Sequence, residues 1–172
     1  DIEARRTLID WARVIGCSAA GDELGNFFIR LEGRQPALPP VLTGSHLDSQ
    51  PTGGKFDGVY GVLAGFEVLQ AIRDCGLTPL RSIEVVSWMN EEGSRFAPGM
   101  MGSAGFAGAR EGSEILAVQD TEQRSVGECL SALGRALPGL APRPLGRPLH
   151  SYIEAHIEQG PRSEEHTAEL QS

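Results

Sequence analysis

The sequence predicts an α/β fold, a sheet flanked by helices, from three consecutive stretches of chain. Pro40–Thr43 is a short apolar run of the kind that fills a buried strand. Val59–Ile72 repeats apolar side chains at helical spacing, and Ile83–Met89 is a second buried-type run. A glycine-rich loop lies between the first strand and the helix. Strand, loop, helix and strand in that order describe a βαβ crossover, which sets two parallel strands in one sheet.

The other elements follow the same periodicities. Ala4–Ile15 places Leu8, Ile9, Ala12 and Ile15 on one helical stripe. Phe27–Leu31 is a short β-rich run closed by Glu32-Gly33-Arg34. In the central helix Val62, Leu63, Phe66, Leu69 and Ile72 share a face, and Gly76 and Pro79 stop it. Beyond Phe96 the pattern weakens. Gly102–Ala109 reads as a small-residue turn and short helix, and Thr121–Leu133 as a further helix. Leu137–Pro148 holds four prolines and two glycines and reads as a loop. Tyr152–Ile157 alternates as a last strand, which carries His156.

A length of 172 residues suits one domain, and 40% apolar content supplies an ordinary core. The net charge of −8 argues against a nucleic-acid partner. No apolar run is long enough to span a bilayer, and no signal-peptide pattern opens the chain. Cys17, Cys75 and Cys129 are odd in number and not in metal-type spacing, which predicts reduced thiols and a cytoplasmic setting.

The chemistry-bearing residues fall in four short motifs: Gly44-Ser45-His46-Leu47-Asp48-Ser49, Gly53-Gly54-Lys55-Phe56-Asp57-Gly58, Asn90-Glu91-Glu92-Gly93-Ser94-Arg95-Phe96 and His156-Ile157-Glu158-Gln159-Gly160-Pro161. His46 and the Glu91-Glu92 pair both follow apolar strands, where open α/β sheets place their ligand sites. Imidazole and carboxylate are ligands of hydrolytic zinc or manganese. Asp48, two residues after His46, is placed to fix the tautomer and orientation of its ring. Two adjacent acids at the end of a buried strand are costly unless a metal or a partner neutralises them. One can then bind metal while the other handles a proton. The bland readings are a structural histidine at His46, a simple turn at Asp57-Gly58, a solvated acidic loop at Glu91-Glu92 and a solvated polar strand face around His156. Gly102-Ser103-Ala104-Gly105 does not match a nucleophile elbow, and Arg95 and Lys55 read as positioning or surface groups.

Together the motifs, spread over residues 4–161, resemble the amidohydrolase branch of the dinuclear metallopeptidase superfamily. That branch includes allantoate amidohydrolase, N-carbamoyl-L-amino-acid hydrolase and β-ureidopropionase. The resemblance implies a zinc-peptidase-like mixed sheet flanked by helices. It also implies two divalent ions, Zn2+ or Mn2+ with Co2+ as a further possibility, and a small ureido or carbamoyl substrate. By that likeness His46 binds one metal, Asp57 bridges both, Glu92 binds the second and His156 completes the first. Glu91 is the general base and acid, Asp48 orients His46, and Gln159 lies near the substrate. Histidine rather than carboxylate at position 156 points to the amidohydrolases over the related aminopeptidases and carboxypeptidases. The likeness further implies a strained cis peptide at Asp57–Gly58.

The implied reaction is attack of metal-activated water on a ureido or amide carbon, giving an amino acid, ammonia and carbon dioxide from a carbamoyl substrate. Members of the family are more than twice this long. A lid and dimerisation domain and a final histidine ligand are expected beyond this chain, so residues 1–161 are expected to be the N-terminal part of a catalytic domain. The intact parent is expected to be a homodimer, and the chain alone inactive, with an open sheet edge. Residues 162–172 resemble the conceptual translation of a sequencing-library adapter and are expected to be non-native, which leaves His166 outside the ligand set. The competing readings are a dipeptidase or aminopeptidase of the same superfamily and a truncated, non-catalytic metal-binding remnant.

Overall fold

The computed structural model describes residues 2–157. Gln159, His166 and the expected non-native segment 162–172 lie outside the described residues. The elements, in order, are α1 (Ile2–Val14), β1 (Ser18–Gly21), β2 (Phe27–Leu31), β3 (Val41–His46), α2 (Val59–Asp74), β4 (Ile83–Trp88), α3 (Met101–Phe106), α4 (Gly112–Ala117), α5 (Val126–Ala136), β5 (Ala141–Pro142) and β6 (Ser151–Ile153).

The strands form one mixed sheet in the order β5-β1-β2-β4-β3-β6. β3 runs parallel to β4 and to β6, whereas β2 is antiparallel to both β1 and β4. The expected βαβ unit is therefore β3–α2–β4, with His46 opposite Trp88 at the carboxyl ends of the paired strands. The alternation of side chains along a strand divides the core between the two faces of the sheet. Phe27, Ile29 and Val85 pack with Leu8 and Ala12 of α1 and Val62 and Leu69 of α2. Phe28, Val86 and Trp88 pack with Leu42 and Phe106 on the opposite face.

A buried ion triad lies on that second face. Glu84, 2% exposed, accepts from Arg30 Nη1 at 2.8 Å and from Arg143 Nη2 at 2.7 Å. The Arg143 guanidinium also stacks 4.0 Å from the Phe28 ring centroid. This contact fastens the proline-rich 137–148 stretch to the sheet. Within that stretch the chain forms the two-residue strand β5, where the sequence suggests only a loop.

Three expectations need correction. The helix expected from Thr121 begins at Val126, because Ser125 closes a capping box with Glu128. Residues 121–124 instead turn around Asp120, whose Oδ1 accepts the amides of Glu122 and Arg124. The last strand ends at Ile153, so His156 is carried by the segment beyond it. That segment crosses close over α2: a Cβ on Gly61 would lie 2.4 Å from the Ala155 carbonyl oxygen, so only glycine admits the approach. Finally, Asp57–Gly58 is not cis. Among the described residues the one cis bond is Ala97–Pro98, and the chain bends at Gly58 through a positive φ of 65°.

The sequence also leaves β1 and α4 unmarked. The three cysteines are free. Among the described residues no helix is long and apolar enough to cross a membrane.

Candidate metal centre

β3 delivers His46 fully buried at the carboxyl edge of the sheet. Its Nδ1 lies 2.9 Å from the main-chain carbonyl of Asp48, which fixes the ring with Nδ1–H as donor. The carboxylate of Asp48 stands further off, 3.6 Å from the same nitrogen. It accepts the backbone amides of Glu91 at 3.2 Å and Glu92 at 3.1 Å. Asp48 thus orients the histidine mainly through its carbonyl, while its carboxylate ties the loop after β3 to the loop after β4.

The second loop has its own bracing. Asn90 takes φ 51°, a left-handed turn that a short amide side chain tolerates. Its Nδ2 donates to the carbonyls of Phe96 at 2.7 Å and Pro98 at 3.3 Å, and the Glu91 carbonyl accepts from Met100 N at 2.8 Å. Arg95 extends the bracing outward: its Nε and Nη2 donate to Asp120 Oδ2 at 3.0 and 2.9 Å.

Three groups converge in front of His46. His46 Nε2 is 3.3 Å from His156 Nε2, 3.6 Å from Asp57 Oδ1 and 3.4 Å from Glu91 Oε2, and His156 Nε2 is 3.3 Å from Asp57 Oδ1. His156 Nδ1 faces the Ile157 carbonyl at 2.6 Å, so that nitrogen carries its proton, as does Nδ1 of His46. With both rings neutral, both Nε2 atoms present lone pairs to each other and to two carboxylate oxygens. A proton on His46 or a metal cation reconciles such an arrangement, and two imidazoles with a carboxylate are a fitting donor set for a divalent metal. Ligand atoms of His46, Asp57 and His156 all fall within 4.8 Å of one another. Glu92 stands outside that tight group, but its Oε1 is buried with no hydrogen-bond partner among the described residues. An orphaned buried carboxylate oxygen is what a further cation ligand looks like before its ion is counted. Of the sequence-derived residues, His46, Asp48, Asp57, Glu91, Glu92 and His156 are thus brought to one region, while Gln159 falls outside the described residues.

The local charges respond to this crowding. Burial opposes protonation of His46, but hydrogen bonding to Asp48 and the field of Glu91 and Asp48 overcome it and push the imidazolium pKa up to about 9. Burial also opposes the charge on Asp48, yet His46 and the amides of Glu92 and Glu91 hold its carboxyl below the usual range. Burial, then the nearby charge of Asp57, raises Glu92.

Two supporting groups have no signature in the sequence. Tyr152 on β6 accepts from Trp88 Nε1 and donates to Glu154 Oε2, both at 2.8 Å, which locks the strand leading to His156 onto β4. Asn26, fully buried, accepts from Met89 N just upstream of the acidic pair. Single polar residues of this kind follow no period. A cleft of about 980 Å3 opens beside Asp48, Asn90 and Ser94, walled by Val126, Leu130 and Leu133 of α5. A smaller cavity of about 410 Å3, between α1 and the segment after α5, touches none of the converging residues.

The family model described as peptidase family M20/M25/M40 matches residues 42–171. An N-carbamoyl-L-amino-acid amidohydrolase of Rhizobium meliloti is 44% identical over 162 residues, which is 94% of this chain and 38% of that protein. The allantoate amidohydrolase of Escherichia coli K12 is 34% identical over 145 residues, 84% of this chain and 35% of its own. Among solved structures, a hydantoinase/carbamoylase family amidase from Burkholderia ambifaria superposes with a TM-score of 0.87 at 47% identity, covering 94% of this chain and 39% of that one. The chain spans less than half the length of these relatives. The mixed sheet, the convergent imidazoles and carboxylates and these likenesses agree in one assignment: the chain belongs to peptidase family M20/M25/M40.

Proposed function

We propose that the protein carrying this chain is a metal-dependent amidohydrolase that cleaves a non-peptide C–N bond of a ureido or carbamoyl amino-acid-type substrate. One observation carries the reading. The Nε2 atoms of His46 and His156 face each other and the Asp57 carboxylate, with Glu91 Oε2 3.4 Å from His46 Nε2. Relatives named for N-carbamoyl-L-amino acids, allantoate and ureidoglycolate supply the substrate class.

His46, Asp57 and His156 would hold one divalent ion, and Asp57 with Glu92 would contribute to a second, Zn2+ or Mn2+ with Co2+ as a substitute. Such ions supply Lewis acidity and lower the pKa of a bound water to about 7. Glu91 takes a proton from the attacking water and returns it to the departing nitrogen, a role its partly open position permits. Asp48 holds the His46 tautomer and the Glu91 and Glu92 backbone in one frame, so the proton acceptor keeps its place beside the ligands. Residues 1–161 form the N-terminal part of the catalytic domain in this reading.

The test is ammonia release by the intact protein from N-carbamoyl-L-amino acids, allantoate and ureidoglycolate, before and after chelation. Turnover that disappears with chelator and returns with Zn2+ or Mn2+ supports the reading. Cleavage of dipeptides with no turnover of ureido substrates would place the protein with the peptidases. Undiminished turnover in chelator would remove the metal.

A further inference from the structure

We propose that Asn26, held by Asp22, is a positioning residue that sets where the Glu91-Glu92 segment leaves and rejoins the sheet. The anchoring stands on geometry alone, while its consequence for metal affinity rests on the metal-centre reading above.

The Asn26 side chain is fully buried, and both ends of its amide are engaged. Oδ1 accepts from Met89 N at 2.9 Å, and Nδ2 donates to the Gly102 carbonyl at 3.0 Å and to Asp22 Oδ2 at 2.8 Å. Met89 and Gly102 are themselves joined, Gly102 N donating to the Met89 carbonyl at 2.9 Å. These two residues are the stems of the excursion that carries Glu91 and Glu92. One side chain therefore grips the excursion at both stems. Met89 is only two residues from Glu91, so a displacement at the stem reaches the carboxylates with little to absorb it.

The grip is itself anchored. Asp22 Oδ1 accepts the amides of Leu24 at 3.1 Å and Asn26 at 2.9 Å, which closes the 22–26 turn. Arg5 of α1 donates from Nη1 to the Gly25 carbonyl at 2.9 Å, fixing that turn against the helix. There is no slack at the other end, since a Cβ on Gly102 would fall 2.1 Å from Asn26 Oδ1. The position needs an acceptor toward Met89 and donors toward Gly102 and Asp22 on a short stem. Asparagine offers both, whereas aspartate only accepts and would face Asp22 with a like charge.

A residue that merely supported folding would loosen the whole chain when changed. A positioning residue loosens one segment and weakens the site it serves. The experiment compares the intact unsubstituted protein with Asn26→Asp, Asp22→Asn and the double exchange of the two. Amide hydrogen exchange is followed along the chain, and Co2+ affinity is followed by its visible absorption. The expected result for Asn26→Asp is exchange about tenfold faster within 89–102, the scale of one lost buried hydrogen bond, with α2 and β3 unaltered. Co2+ affinity is expected to fall by about ten- to a hundredfold. The double exchange restores a donor–acceptor pair between the two positions and is expected to recover part of both losses. Should Asn26→Asp not fold, Asp22→Asn supplies the milder disturbance with the same expected pattern. Uniformly faster exchange, or a loosened segment with unchanged Co2+ affinity, overturns the proposal. If the intact unsubstituted protein binds no Co2+, the metal reading and the link to it both fall, while the exchange pattern still decides whether Asn26 anchors the segment.

Discussion

Gly58 lies flat against the imidazole of His46: a Cβ at Gly58 would fall 2.4 Å from Cε1 and Nδ1 of the ring. The glycine also holds φ 65°, so both sterics and backbone exclude a side chain there. Gly58→Ala is expected to cost about 1–3 kcal/mol of stability, the usual range for overpacking. It should also weaken Zn2+ binding by more than tenfold, on the order of other losses of ligand orientation. Denaturant unfolding and a Zn2+ competition titration measure the two effects separately, and an unaltered Zn2+ affinity would contradict the contact's importance.

In the proposed metal centre, proton and metal would compete for the same lone pair on His46. With its pKa pushed up to about 9, the ring of the metal-free protein is protonated at neutral pH and must lose that proton to ligate. Metal affinity is therefore expected to rise by roughly tenfold per pH unit up to about pH 9 and then level off. Calorimetry in buffers of different ionisation enthalpy should show proton release on Zn2+ binding. Without metal the sign for stability is the reverse. The raised pKa contributes stability that is complete below about 6.5 and is lost as pH rises through about 9. Unfolding at pH 6 and pH 9.5 in chelator should show the loss, on the order of 2 kcal/mol.

Glu91 and Glu92 are adjacent in sequence and differ in surroundings. Glu91 stands 3.4 Å from His46 Nε2 and is 29% exposed, whereas Glu92 buries an oxygen without a hydrogen-bond partner among the described residues. In the intact protein Glu91→Gln is expected to lower kcat by about 10²–10⁴-fold with metal content preserved. Glu92→Gln is expected to lower metal content. Parallel turnover and metal analysis distinguish the two, and interchanged results would reverse the roles.

Glu84 is a structural acid far from this chemistry. Glu84→Ala leaves the buried guanidinium of Arg143 without its carboxylate. The expected cost is about 3–5 kcal/mol, the range for removing one partner of a buried pair. Chemical denaturation reads it directly, and a loss under 1 kcal/mol would mean the site relaxes to admit water.

The βαβ unit and its site were legible because both rest on periodic or local signals. Apolar runs mark β3 and β4, a helical stripe marks α2, and His46 and the acidic pair sit where those strands end. Elements without such signals were not legible. β1 is Ser-Ala-Ala-Gly, a run with no strand propensity, and it forms by pairing with β2. The alternation over Tyr152–Ile157 overextends the last strand, because β6 pairs with β3 only as far as Ile153. The bend at Gly58 is equally compatible with a cis bond or a positive φ, and the glycine takes the latter. Asn26 and Tyr152 act as single buried polar groups whose partners are distant in sequence, and nothing local announces them.

The most direct measurement is X-ray absorption at the zinc edge of the Zn2+-loaded chain, compared with His46→Ala and His156→Ala. Two imidazole nitrogens are expected at about 2.0–2.1 Å from the metal, with one imidazole lost in each variant. A shell of oxygen atoms alone, unchanged by either substitution, would contradict the claim that His46, Asp57 and His156 form a metal centre.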